Sequence, residues 1–251
     1  PLVSFAITGS SSSATAVYKH ESIKIWDLLI PKAIAYPAPM LMIDANGNSV
    51  QLTQNWINIE EIEFKSSEMK ESGELDGSHI DFSGPYSINL FSDSPQLLGL
   101  NSIVLNQVRR IKMKLSRTST IPTGAPSGFL GKSIYLTGTV NGVSFSFSTV
   151  DETEMQVAGA NAVTPLENTA LLLELKTANL IKKINMSAIS FTTAITDSNR
   201  VTASNPCPSI EPNANDLYTC IKKGYETESN LGRDDDGNFR LDNSEESVKS
   251  L

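Results

Sequence analysis

The chain is predicted to be all-β: an antiparallel β-sandwich of the Ig-like or Greek-key type, with a short disulfide-tied C-terminal extension. The first observation behind this is a hairpin from Ser133 to Val150, in which Asn141-Gly142 separates two alternating apolar and polar runs. A two-residue type I′ turn needs φ > 0 at both central positions, which Asn-Gly tolerates better than other pairs. The second is that about ten short apolar segments, separated by turn signals, follow one another along the chain, as in sandwiches and barrels. The third is the strand-like run Trp56 to Lys65, whose alternation shifts phase at Glu60-Glu61. A β-bulge there keeps Ile57, Ile59, Ile62 and Phe64 on one face, and a short helical turn is the rival reading.

The hairpin sets its own register. Val140 opposite Val143 puts Ile134, Leu136, Val140, Phe145 and Phe147 on one face, and Tyr135, Thr137, Ser144 and Ser146 on the other. Shifting by one residue would turn the apolar row into water. Before it, Leu2 to Thr8 reads as a strand, leading into a Gly/Ser linker over residues 9–13. Residues 22–30 and 40–43 read as further segments, with Pro31, Pro37 and Pro39 as breakers between them. Asp44 to Asn48 reads as a second hairpin loop, and residues 66–78 as an exposed charged loop. Ile80 to Leu90 alternates around a Gly84-Pro85 break, and Pro95 to Leu105 reads as a helical turn or irregular crossover. Val108 to Arg117 is an amphipathic strand with Ile111, Met113 and Leu115 opposed to Arg110, Lys112 and Lys114. The basic row is expected to face the acidic row Glu60, Glu61 and Glu63 on a neighbouring strand. Glu152 to Val157 and Leu171 to Leu175 read as strands, and Thr177 to Ile184 stays ambiguous between strand end and helix. Ser187 to Ile195 is expected to be the last strand of the body, placing the division at 1–196 for the sandwich and 197–251 for the extension.

Composition narrows function by exclusion. The chain has 251 residues, 39% of them hydrophobic, which is ample for a core. A net charge of −8 lacks the basic patch that nucleic acid requires. No stretch approaches the about 18 apolar residues of a transmembrane helix. Aromatic content of 7% is thin for a carbohydrate-stacking surface. His20 and His79 are far apart in polar settings and read as loop residues. Neither a Gly-x-Ser-x-Gly elbow nor a phosphate-binding glycine loop occurs.

The extension carries the chemistry. Cys207 and Cys220 are the only cysteines, and an even count favours a bridge where a chain is exported. Asn213 with Asp216 resembles a capping box, opening a short helix with Leu217, Cys220 and Ile221 on one face and Gly224 at its end. From Val201 onward there are ten acidic and five basic residues. Asp234-Asp235-Asp236-Gly237-Asn238, with Asp242 and Glu245 beyond, places hard oxygen ligands at alternate positions before a glycine turn, as Ca²⁺ requires. An EF-hand register fails, because Gly232 and Asn243 would fall where carboxylates are needed. A looser Ca²⁺ loop formed by Asp234, Asp236, Asn238, Asp242 and Glu245 and a solvated acidic tail both remain open.

The order of elements also carries a resemblance. Ile57 to Phe64 (Ile-Asn-Ile-Glu-Glu-Ile-Glu-Phe) precedes an acidic loop, then Pro85 to Leu90, a Leu-rich connection, Val108 to Leu115 and the Asn-Gly hairpin. Over about Val50 to Ile184 this resembles the β-sandwich domains of unknown function in bacterial secreted and surface lipoproteins, spirochaete ones among them. The resemblance implies an exported, lipid-anchored, non-enzymatic module at the outer membrane surface or in the periplasm. It is structural in the envelope or binds an extracellular protein or glycan. Pro1 suggests a trimmed chain, with a lipidated cysteine expected upstream. The second expectation is an accessory carbohydrate-binding or hydrolase-associated domain, which an exposed aromatic row or a carboxylate pair in a cleft would favour.

Overall fold

One long strand organises the larger of two sheets. In a computed structural model that describes residues 1–9, 40–69, 79–92, 95–152, 154–167 and 169–250, the strands in chain order begin with β1 (Leu2–Thr8), β2 (Met40–Ile43) and β3 (Ser49–Lys65). Then come β4 (Phe82–Asn89), β5 (Gln96–Ser102), β6 (Val108–Leu115), β7 (Ile134–Val140) and β8 (Val143–Thr149). The rest are β9 (Glu154–Val163), β10 (Ala170–Leu175), α1 (Thr177–Lys182), β11 (Thr193–Ile195), α2 (Leu217–Thr227) and β12 (Ser229–Asp234). The expected linker beyond Gly9, the segment at 22–30, the three prolines and His20 lie outside the described residues, as does most of the loop expected at 66–78.

The larger sheet runs β11-β8-β7-β3-β6-β9, with β2 and β4 also paired to β3. β3 is long enough to serve two neighbours on each side, β7 then β6 on one and β2 then β4 on the other. The phase fault is a bulge: register shifts between Ile59 and Glu61 against both β4 and β6, and all four apolar residues are buried. Gly84 lies against it, where an added Cβ would sit 2.5 Å from the Ile59 carbonyl oxygen. The hairpin has the expected register, Val140 opposite Val143 and Ile134 opposite Thr149, with Phe145 and Phe147 buried. The charged rows face each other as expected, Glu61 opposite Lys114 and Glu63 opposite Lys112. Lys114 reaches Glu60 at 3.2 Å and Glu61 at 3.7 Å, and Lys112 reaches Glu154 at 3.0 Å and Glu63 at 3.6 Å. Only one end of this row is exposed, since Arg110, Lys112 and Glu63 are buried.

The smaller sheet runs β12-β10-β1-β5. Val3, Phe5 and Ile7 of β1 and Leu171, Leu173 and Leu175 of β10 face the larger sheet in one shared core. Phe5 spans the sandwich, its ring 5.2 Å from Phe64 and 5.4 Å from Phe82. On the opposite face Ala6 and Leu172 are covered by Leu241.

Several expectations are corrected. Strand orientation is mixed, because β1 pairs β10 and β11 pairs β8 in parallel. Pro95 to Leu105 contains a strand, β5, since Leu-Leu-Gly-Leu bulges against β1 between Phe5 and Ala6. Gly84-Pro85 lies within β4, between the pairs Ile59–Tyr86 and Glu61–Ser83, so the proline's missing donor falls at the bulge. Thr177–Lys182 is helical, and only Thr193–Ile195 of the expected last strand pairs. Asp216, not Asn213, caps α2, its carboxylate accepting from Thr219 N at 2.7 Å. Gly224 lies inside α2, packed where a Cβ would come within 1.9 Å of Leu180 Cδ1. Residues beyond 196 join the body: α2 contributes Leu217, Cys220, Ile221 and Tyr225 to the core, and β12 completes the smaller sheet.

Candidate metal centre

β12 delivers Asp234 to the sheet's end, opposite Ala170. Its carboxylate is buried and organises the turn that follows, Oδ1 accepting from Gly237 N at 2.8 Å and Oδ2 from Phe239 N at 3.0 Å. That turn needs left-handed backbone at Gly237 (φ 73°) and at Phe239 (φ 59°). Leu241 anchors the far side of the loop on Gly232 and Leu172, so the chain must double back. The return brings Glu245 beside the turn, its Oε1 accepting from Asp235 N at 2.8 Å and its Oε2 from Asp242 N at 3.1 Å.

One carboxylate oxygen from each of Asp234, Asp236 and Glu245 therefore falls within 4.8 Å of the others. Burial pushes the Asp234 carboxyl above the usual range, and the Asp236 charge adds to the rise. Burial raises Glu245 as well, with the charges of Asp234 and Asp236 adding to it. Three clustered carboxylates with two desolvated members are a group that can hold a metal ion, whose charge would favour the ionised forms. Asn238 and Asp242, the other two expected ligands, make local bonds beside this trio. Asn238 Oδ1 accepts from Arg240 N at 2.7 Å and its amide donates to Asp236 Oδ2 at 2.7 Å. Asp242 Oδ1 accepts from Ser244 N at 2.8 Å and from the Ser244 hydroxyl at 2.5 Å, which lowers its pKa. Both close local turns with backbone two residues on, the habit of Asx side chains. Asp235, in turn, forms an ion pair with Arg233, which also holds Glu246 at 2.8 Å.

Cys207 and Cys220 form the expected disulfide, with both residues buried and Cα atoms 5.9 Å apart. It ties the segment before α2 to the helix face that also presents Leu217 and Ile221. Beside α2 lies a cleft of about 240 Å³ lined by Leu115, Ile134 and Met155. Its charged rim is already committed internally: Lys222 pairs with Asp151, Arg200 with Asp197 and Asp216, and Lys223 with Glu226.

Trp56, Phe129 and Tyr135 gather on the outer face of the larger sheet, with centroids 5.7 and 6.5 Å apart. Trp56 and Phe129 are buried, so the trio is packing and not an exposed stacking row. His79 is exposed and 3.1 Å from Asp81, whose carboxyl burial pushes up. Among the described residues no helix is long and apolar enough to cross a membrane. Sequence reasoning missed Lys249, which donates from Nζ to the Glu226 and Thr227 carbonyl oxygens at 2.9 Å each. Its only signal was a lone lysine after an acidic run, and nothing in the spacing places it at a helix end.

In comparisons with known proteins, the chain matches no family model, no curated protein and no solved structure.

Proposed function

We propose that the chain is a non-enzymatic, exported module of a bacterial envelope that binds an extracellular protein, with Ca²⁺ as a structural ion at Asp234, Asp236 and Glu245. The buried Cys207–Cys220 bridge carries this reading, because disulfides form and persist in oxidising compartments. The resemblance of Val50 to Ile184 to secreted lipoprotein domains adds a lipid anchor upstream of Pro1 and a place at the outer membrane surface or in the periplasm. A protein partner is favoured over a glycan because Trp56 and Phe129 of the outer-face aromatic trio are covered. The test is alkylation of the denatured protein from native cells, combined with fractionation. Envelope protein whose two cysteines react only after reduction supports the reading, and cytoplasmic protein with free thiols overturns it.

Calcium suits the site as a hard cation bound by oxygen ligands, with backbone oxygens or water completing its shell of about 6–8. A ligand that binds only the folded form stabilises it by about 2.7 kcal/mol at a hundredfold excess over its Kd. Thermal melts in Ca²⁺ are expected to exceed those in chelator, and Asp236→Ala is expected to abolish the difference. Superimposable melts would eliminate calcium as the ion.

A further inference from the structure

The last strands of the two sheets, β12 of the smaller and β9 of the larger, leave a seam along one side of the sandwich. Residues 246–249 fill it. Toward β12, Arg233 N donates to Glu246 O at 2.9 Å and Val248 N to Leu231 O at 2.8 Å, with Gly232 and Ser247 bridged. Toward β9, Asn161 N donates to Val248 O at 3.2 Å and Thr164 N to Glu246 Oε2 at 2.7 Å. Val248 is wholly buried. Gly159 permits the approach, since a Cβ there would lie 1.9 Å from Val248 O. At the far end Asn230 grips the Lys249 backbone, accepting from its N at 3.0 Å and donating to its O at 3.1 Å. The Lys249 ammonium meanwhile caps the last carbonyls of α2, where backbone acceptors lack helical partners.

We infer that residues 246–249 are a detachable strap that seals this seam, locked by the Lys249 side chain on α2, and that it opens while both sheets stay folded. The two sheets are joined by a large apolar core, whereas the strap is held by hydrogen bonds, the Arg233–Glu246 ion pair and one buried apolar side chain. Elements with few buried apolar contacts open locally at a fraction of the global cost. The strap is also tethered through an acidic loop, from Asp235 to Glu245.

The groups facing the lock are Glu226 and Glu228 at the end of α2, and Lys176 and Lys183 on either side of α1. Burial pulls the Lys249 amine down to about 8, against the pull of the two carboxylates. A freed lysine titrates at about 10.4, so the open strap binds more protons between those values. Closure is therefore constant below pH 8 and tightens as pH rises from 8 toward 10.

Hydrogen exchange of the full chain, followed by mass spectrometry, tests this. Segments 159–164, 229–234 and 245–250 are expected to exchange together and faster than the hairpin at 134–149. Lys249→Met is expected to speed those three segments tenfold or more and leave the hairpin unchanged. Gly159→Ala, which puts a methyl group in the strap's place, is expected to open the same three segments. In the wild type, opening corrected for intrinsic rates is expected to fall by roughly 40-fold from pH 8 to 10, and Lys249→Met is expected to lose that dependence. Exchange of the three segments only together with the hairpin, or no response to either variant, overturns the strap. A pH-independent opening in the wild type overturns the lock.

Discussion

Phe147→Ala is expected to destabilise the protein by about 3–5 kcal/mol, and Tyr135→Ala by far less. Phe147 lies on β8 opposite Leu136 of β7, wholly buried, with its ring 5.5 Å from that of Tyr218. It therefore joins the hairpin to α2, and truncation removes contacts with both while leaving a cavity that the surrounding strands cannot close. Tyr135 occupies the other face, half-buried, opposite Trp56 and 6.5 Å from Phe129. Its ring is partly hydrated already, so less is lost. Urea denaturation of both variants decides the matter, and equal losses would contradict the register.

Reduction of Cys207–Cys220 is expected to cost about 3 kcal/mol in the chain-entropy model, for a sequence separation of 13 residues. The consequence is concentrated on α2. That helix places Tyr225 in the interior, its hydroxyl donating to Asn55 Oδ1 at 2.6 Å while the Asn55 amide donates to Thr177 Oγ1 at 2.7 Å. Burial pushes the Tyr225 phenol well above its ordinary range, so it stays a neutral donor. Freeing the loop before α2 loosens the helix that holds this network of three buried side chains. Chemical denaturation with and without reductant, repeated on the Cys207→Ser/Cys220→Ser double variant, measures the loss. A change below about 1 kcal/mol would show that packing alone holds α2.

What could be read from the sequence was local or periodic. Asn141-Gly142 fixed a register because its turn geometry leaves few alternatives. The bulge at Glu60-Glu61 was visible because four apolar residues had to share one face. Opposed charge rows on β3 and β6 announced their pairing. The illegible features depend on partners distant in sequence. Nothing within Leu97 to Leu100 says that β1 will recruit it as a strand. The parallel pairing of β1 with β10 also leaves no local trace. At the candidate metal centre the clustering of Asp234, Asp236 and Glu245 followed the spacing of acidic residues. Asn238 and Asp242 bond to backbone two residues on, a local habit that the spacing of oxygen ligands does not reveal. The helix cap failed similarly: Asn213 and Asp216 are both good N-caps, and burial of Leu217, not propensity, selects between them.

The pairing of β1 also bears on how the chain assembles. Ser4 Oγ donates to Thr169 O, 165 residues further on, and β12 lies later still. Synthesis from the N-terminus thus releases the apolar row Val3, Phe5 and Ile7 long before its parallel neighbour exists. The β7–β8 hairpin needs only its own turn, whereas the smaller sheet must close a loop of most of the chain. Folding rates fall as contacting residues become more distant in sequence. The smaller sheet is accordingly expected to close late in folding, leaving the inner face of the larger sheet uncovered until it does.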